Sequence, residues 1–404
     1  MRPKNLLLAI LACTLSAAAC GPAQNSASRF SVSGTQILQD GEPYYFIGTN
    51  AWYLADIALS DPQRLTSELD SLKALGLENV RVCATEQNFG GFDILLPEME
   101  RRGMSAVLFL NNAWEWSPSG YRSYMMDSGS GYQPLPAVDG YWPYMCAMAD
   151  FAGNDAAVAL FHEHVKAMVS RYAESKAVFA WQICNEPRPF STDSTKVDAF
   201  VTYIHKTAAL IRSLDPNHLI CTGNEGAMGC NDGDYELCCR LNDCPDIDYV
   251  TVHIWPFNWS WIAEAEQSGK PELVAEKTLD YIRKHLQIAS ELGKPVTIEE
   301  FGHPRDGSDW RNTASVSGRD SYYRLIFDEV LRSAREGGCL AGCNFWAWSG
   351  TARQTHEAWQ EGDDLCGDPS QEAQGLNGVY LSDSTTVSLI RDCARTLGNI
   401  INQQ

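Results

Sequence analysis

The chain has 404 residues, a formal charge of −20 and 12 tryptophans. So acidic a surface repels phosphate, which excludes nucleic acid and anionic membrane surfaces as partners. A neutral substrate is unaffected by that charge.

The N-terminus reads as a targeting signal. Arg2 and Lys4 precede an apolar run from Leu6 to Leu15, and small residues follow up to Cys20. This run is too short to remain in a bilayer as a span. Small residues before a cysteine resemble a bacterial lipoprotein site, with Cys20 lipidated after cleavage; ordinary cleavage after Ala19 is the competing reading. We therefore expect a signal over 1–19, a polar tether over 20–30 and one domain over 31–404. Such a chain is exported: a lipoprotein in the periplasm or at the cell surface, touching membrane only through its anchor, or otherwise secreted. A monomer is expected.

Twelve of the 14 cysteines lie beyond Cys20. In an oxidising compartment Cys230, Cys238, Cys239 and Cys244, in an acidic loop, are candidates for pairing. A structural zinc site competes, but the spacing lacks a C-x2-C pair. Cys83, Cys184, Cys221 and Cys343 stand in apolar runs and read as small core residues.

Eight short β-branched and aromatic runs recur between helical stretches. The predicted strands are 44–48, 79–83, 106–110, 178–184, 218–222, 249–253, 296–300 and 342–346. The predicted helices are 63–75, 154–174, 194–214, 271–292 and 319–337. Eight alternations predict an α/β fold, a (β/α)8 TIM barrel in one domain with long βα loops. Chemistry in such a barrel sits at the C-terminal strand ends. Those ends read GTNAWY, RVCATE, LNNAWEW, CNEPR, TGNEG, HIWPFNW, EEFG and FWAWSG. Polarity alone follows wherever an apolar run stops. A mixture of carboxylates, His, Asn, Arg and Trp at every end does not.

Two carboxylates stand out. Glu186 ends strand four and Glu300 ends strand seven, each with Gly or Pro just beyond. Opposite strands aim two side chains at one point. A carboxylic acid and a carboxylate flanking a shared point suit cleavage of a glycosidic bond.

The motifs NEPR (185–188) and EEFG (299–302) resemble the two signatures of glycoside hydrolase family 5, a retaining barrel family. FIGTNAWY, TVHIWPFNW, NFWAWSG and the DP…QGLNGVY stretch (368–380) resemble its bacterial β-mannanase branch. The resemblance spans nearly all of the expected domain. It implies that Glu186 is the acid/base and Glu300, not Glu299, the nucleophile. It implies that Arg81 braces and ionises the nucleophile and that Asn185 binds the sugar 2-hydroxyl. It aligns His253 with the histidine ending strand six, and Trp346 with the floor of the reacting subsite. Trp52 and Trp114 match aromatics of the glycone side, and Arg188 an arginine of the leaving-group side. Trp255 departs from the pattern, because most relatives have tyrosine there and indole donates but cannot accept. Trp116, Trp142, Trp259, Trp261, Trp348 and Trp359 read as loop aromatics available to a cleft.

The implied mechanism needs neither cofactor nor metal. It predicts carboxyls about 5–5.5 Å apart and a Glu186 pKa raised by burial and by the Glu300 charge. The implied substrate is β-1,4-mannan, glucomannan or galactomannan, cleaved internally. If the loops after strands three and eight wall off one end, an exo-β-mannosidase results. A β-1,4-glucanase of the same family and a catalytically inactive surface glycan-binding protein are the remaining alternatives.

Overall fold

A computed structural model describes residues 28–114, 120–133 and 143–403. The signal, Cys20, Trp116 and Trp142 lie outside the described residues. A three-stranded antiparallel sheet opens the described chain: β1 (Phe30–Ser33), β2 (Gln36–Gln39) and β3 (Glu42–Pro43). Eight parallel strands follow: β4 (Phe46–Asn50), β5 (Asn79–Cys83), β6 (Ser105–Phe109), β7 (Val178–Gln182), β8 (Leu219–Cys221), β9 (Val250–Ile254), β10 (Val296–Phe301) and β11 (Leu340–Phe345). Their order is β8-β7-β6-β5-β4-β11-β10-β9. At the β8/β9 seam, Asp248 N–H donates to the Ile220 carbonyl at 2.8 Å, and Ile220 N–H donates to the Asp248 carboxylate at 2.7 Å. The barrel expected from the alternating pattern is thereby formed. A small pair, β12 (Trp348–Gly350) and β13 (Val379–Tyr380), brackets the long loop after β11.

Every residue of the eight barrel strands is buried. Helices cover the outside and side chains fill the inside, so the strands read as continuous apolar runs. The five predicted helices are present, with ends within two residues of those expected. Helices 54–60, 92–101, 121–127, 143–151, 235–242, 261–268 and 384–401 were not anticipated. The stretch read as an acidic loop folds as Tyr235–Asn242 because Asp234 caps it, accepting from Leu237 N–H, while Leu237, Cys238 and Leu241 turn inward. Among the described residues no helix is long and apolar enough to cross a membrane.

The first barrel strand lies two residues later than predicted, because Tyr44 belongs to the barrel floor. Phe30 packs edge-on against Phe179 at 4.8 Å, and Tyr44 stacks on Phe46 at 5.4 Å. Phe30 and Ile37 close the N-terminal end in one cluster with Phe46, Phe179 and Tyr249. The opposite mouth is left for chemistry. All twelve cysteines beyond Cys20 are free thiols, and Cys83, Cys184, Cys221 and Cys343 are buried as expected of core residues.

The floor cluster makes a prediction. Phe30→Ala removes a buried aromatic and should cost about 3–5 kcal/mol in urea unfolding of the full chain. A cost below about 1 kcal/mol would show that the N-terminal sheet does not close the barrel.

Candidate active site

Arg81, near the end of β5, has no solvent exposure. Its guanidinium donates to Asn50 Oδ1 at 3.0 Å, Asn185 Oδ1 at 2.6 Å, Gln182 Oε1 at 2.5 Å and Glu300 Oε1 at 2.5 Å. Its flat face lies over the Phe109 ring, 4.6 Å from the centroid. A planar fork with five donors suits this cage where an ammonium would not. The second Glu300 oxygen accepts from the Trp255 indole N–H at 3.2 Å. Trp255 thus supplies the contact that a tyrosine hydroxyl makes in the resembling pattern.

Glu299 lies deeper, its carboxyl 3.8 Å from the same guanidinium. Tyr249 O–H donates to it at 2.7 Å, and Gln182 donates to its second oxygen, inside the barrel. The register of β10 breaks between Ile298 and Glu300, so both adjacent carboxyls face Arg81, with Glu299 in the core and Glu300 toward the mouth.

Glu186 follows β7 with φ +50°, a left-handed conformation costly for a residue with a side chain. Its N–H donates to the Gly223 carbonyl at 2.9 Å, which holds the turn. Gly223 has φ +77°, and a Cβ there would stand 1.9 Å from the Cys184 carbonyl, so only glycine fits. The Glu186 carboxyl accepts from Trp114 N–H at 2.5 Å and meets His253 Nδ1 at 2.8 Å. His253 Nδ1 also stands 3.4 Å from Glu300 Oε2, so one imidazole spans both carboxyls. Burial and the nearby Arg81 hold the His253 pKa well below its usual value. The ring is neutral, and its Nδ1 faces both carboxyls.

One oxygen of Glu186, one of Glu300 and His253 lie within 4.8 Å of one another. Three such atoms have metal-ligand spacing, but the Arg81 guanidinium already occupies Glu300. An arrangement with a cation built in suits a proton-sharing carboxyl pair. Burial raises the pKa of Glu186, opposed first by Arg188. Burial raises Glu300 further, opposed by Arg81 and reinforced by Glu186. Burial is thus the main cause for both, where the sequence suggested it for Glu186 alone. Two carboxyls this close share a proton, and their contacts decide its place. Arg81 touches Glu300 and not Glu186, so the charge rests on Glu300 and the proton on Glu186.

The surrounding cleft encloses about 780 Å³. Asn185 donates to Asn112 at 2.9 Å while accepting from Arg81. Arg188 forms a two-pronged ion pair with Glu225, at 2.5 and 2.7 Å, and lies over the Trp114 ring at 5.4 Å. Trp346 meets Trp255 edge-on at 6.2 Å, and both line the cleft with Trp114 and Trp259. Trp52 stands apart: it is 9% exposed, and its N–H donates to the Gly367 carbonyl at 3.1 Å, under the loop after β11. Trp348 is fully buried against Glu68, so this aromatic is core rather than cleft.

Asn50, Gln182, Asn112 and Glu225 were not singled out from sequence. Asn50, Asn112 and Glu225 fall inside the polar strand-end motifs, which was the available signal. Gln182 sits within a strand and gave none.

A model of the family described as GH family 5 beta-mannosidase-like matches residues 28–90 and 85–402. A rice protein named putative mannan endo-1,4-beta-mannosidase 9 is 28% identical, over 91% of this chain and 89% of its own. The family 5 mannosidase of Rhizomucor miehei superposes with a TM-score of 0.81 at 27% identity, covering 93% of this chain and 98% of that one. An endo-1,4-beta-mannanase of the same fungus shares the fold, with a TM-score of 0.65 at 20% identity. The chain belongs to glycoside hydrolase family 5, within its β-mannosidase-like group.

Proposed function

We propose that this glycoside hydrolase cleaves internal β-1,4 bonds of mannan, glucomannan or galactomannan with retention of configuration. The observation that carries the reading is the close carboxyl pair with Arg81 under one member. Oxygens within 4.8 Å leave no room for the water that an inverting enzyme places between carboxyls about 6.5–9.5 Å apart. Glu300 attacks the anomeric carbon, and Glu186 protonates the departing oxygen. Glu186 then takes a proton from the water that releases the glycosyl-enzyme. His253 keeps both carboxyls in place, and Trp255 and Arg81 hold the nucleophile ionised. Asn185, Arg188, Trp114 and Trp346 take the sugars that the resemblance assigns them. The names of the plant and fungal relatives support mannan as the substrate.

One observation favours a second reading. The loop after β11 lies over Trp52, an aromatic that the resemblance assigns to the glycone side. A wall there would make the enzyme exo-acting, removing single mannose units. In either reading residues 1–19 direct export and Cys20 carries a lipid. A tether over 20–30 then leads to the domain over 31–404, and the chain acts as a monomer. The support for export, the anchor and a bacterial source is the N-terminal sequence pattern.

Digestion of mannohexaose against cellohexaose tests the substrate. The expected early products are mannobiose to mannotetraose with cellohexaose intact; mannose alone would establish the exo reading, and no reducing ends would leave a binding protein. Glu300→Ala should abolish turnover while keeping oligosaccharide binding. Retention of more than about 5% of activity would refute the assignment, since loss of a nucleophile costs several orders of magnitude.

The pH profile gives a further prediction. Activity rises as Glu300 loses its proton and falls as Glu186 loses its own. Arg188 opposes the rise in the Glu186 pKa. Arg188→Met removes that cation and leaves Glu225 uncompensated, and both changes favour the protonated acid. The alkaline limb of kcat/KM should therefore move to higher pH. A limb that stays or falls would show that Glu186 does not set it.

A further inference from the structure

Arg81 lies between two buried carboxyls, and the proposed reaction uses only one of them. Glu300 Oε1 accepts from its Nη1 at 2.5 Å, and Glu299 Oε2 stands 3.8 Å from its Nε. Glu299 is 1% exposed, and Gln182, Cys221 and Tyr249 around it are fully buried, so no sugar reaches it. An ionised acid in the core costs stability, and an apolar side chain in the same space avoids that cost.

Gln182 joins the two carboxyls through the cation. Its Oε1 accepts from Arg81 Nε at 2.9 Å and from Nη2 at 2.5 Å. A guanidinium has no acceptor, so the amide can present only its oxygen to Arg81. Its Nε2 is thereby turned to Glu299 Oε2, to which it donates. The other Glu299 oxygen accepts from Tyr249 O–H at 2.7 Å. Both oxygens accept, as those of an ionised carboxylate do. Asn50 ties the same residues by a second route. Its Oδ1 accepts from Arg81 at 3.0 Å, and its Nδ2 donates to the Glu299 carbonyl at 2.8 Å. Arg188, the other cation of the cleft, is taken by Glu225. Arg81 therefore serves two carboxylates.

We propose that Glu299 is a positioning residue for the nucleophile: it orients the Gln182 amide against Arg81 and shares that cation with Glu300. The inference rests on the reading of Glu300 as nucleophile. Glu300 is faced by Arg81 from β5, Glu186 beyond β7, Glu225 beyond β8 and the neutral His253 of β9. Glu299 is faced by Arg81, Gln182, the Tyr249 hydroxyl and the Cys221 thiol. Burial raises the Glu299 pKa, and Arg81 leads the groups that oppose the rise. A guanidinium answering to Glu300 alone would hold its charge more strongly and make it a weaker base. The second carboxylate offsets part of that pull, so Glu300 is ionised without losing its reactivity.

The test measures kcat/KM on mannohexaose across pH for full-length wild type, Glu299→Gln and Glu299→Asp. The position of a limb does not depend on how much protein folds, so a merely structural role would leave it in place. In Glu299→Gln the oxygen still accepts from Gln182, and the amide turns to the Tyr249 hydroxyl, which can accept. Only the charge is lost. The acid limb, set by Glu300, should move to lower pH by about one unit, as expected when one nearby like charge is removed. The alkaline limb, set by Glu186, which Arg81 does not touch, should move less. Glu299→Asp keeps the charge but draws it back from Arg81, so its acid limb should fall by a smaller amount. An acid limb that stays or rises in Glu299→Gln, or in Glu299→Asp if only that variant folds, would overturn the assignment while the nucleophile reading stands. A Glu300→Ala protein that keeps its activity would overturn that reading and this inference with it.

Discussion

The site depends on one buried cation. Arg81 has no exposure, and an ion removed from water costs several kcal/mol unless its donors are matched. Asn50, Gln182, Asn185 and Glu300 match them from strands or strand ends β4, β7 and β10, with the Phe109 ring of β6 beneath. The same contacts that satisfy the guanidinium fix the Glu300 carboxyl and the Asn185 amide. Stability and preorganisation of the nucleophile are thus one requirement met by one set of side chains.

The barrel supplies the rest of the asymmetry. Aromatics from the N-terminal sheet fill one end, so the water-accessible mouth lies at the other. Along β10 a break in register between Ile298 and Glu300 leaves Glu299 in the interior and Glu300 at the mouth. Opposite it, a strained backbone at Glu186 is held by a glycine that no other residue can replace without a clash at Cys184. Between the two, His253 contacts both carboxyls while remaining neutral. It orders the pair without adding a second cation that would draw the proton from Glu186.

The strands and the two glutamates were legible in the sequence because both are local signals. Apolar runs of strand length ended in polar motifs, and the carboxylates stood at those ends. What escaped was set by distant contacts. Tyr44 reads as strand, but packing with Phe30 and Phe46 draws it into the barrel floor and delays β4. Gln182 sits inside a run that reads as strand, yet it bridges Arg81 and Glu299 across the barrel. The acidic segment around residue 236 folds as a helix because its few apolar residues find a buried face, which composition does not reveal.

The central claim is that the carboxyl held by Arg81 forms the covalent bond to the sugar. A 2-deoxy-2-fluoro-β-mannosyl fluoride, which reacts but turns over slowly, would trap that bond. Peptide mass spectrometry of the trapped protein should place the sugar on Glu300. A label on Glu186 or Glu299 would contradict the account, as would prompt turnover with the α-configured sugar as first product.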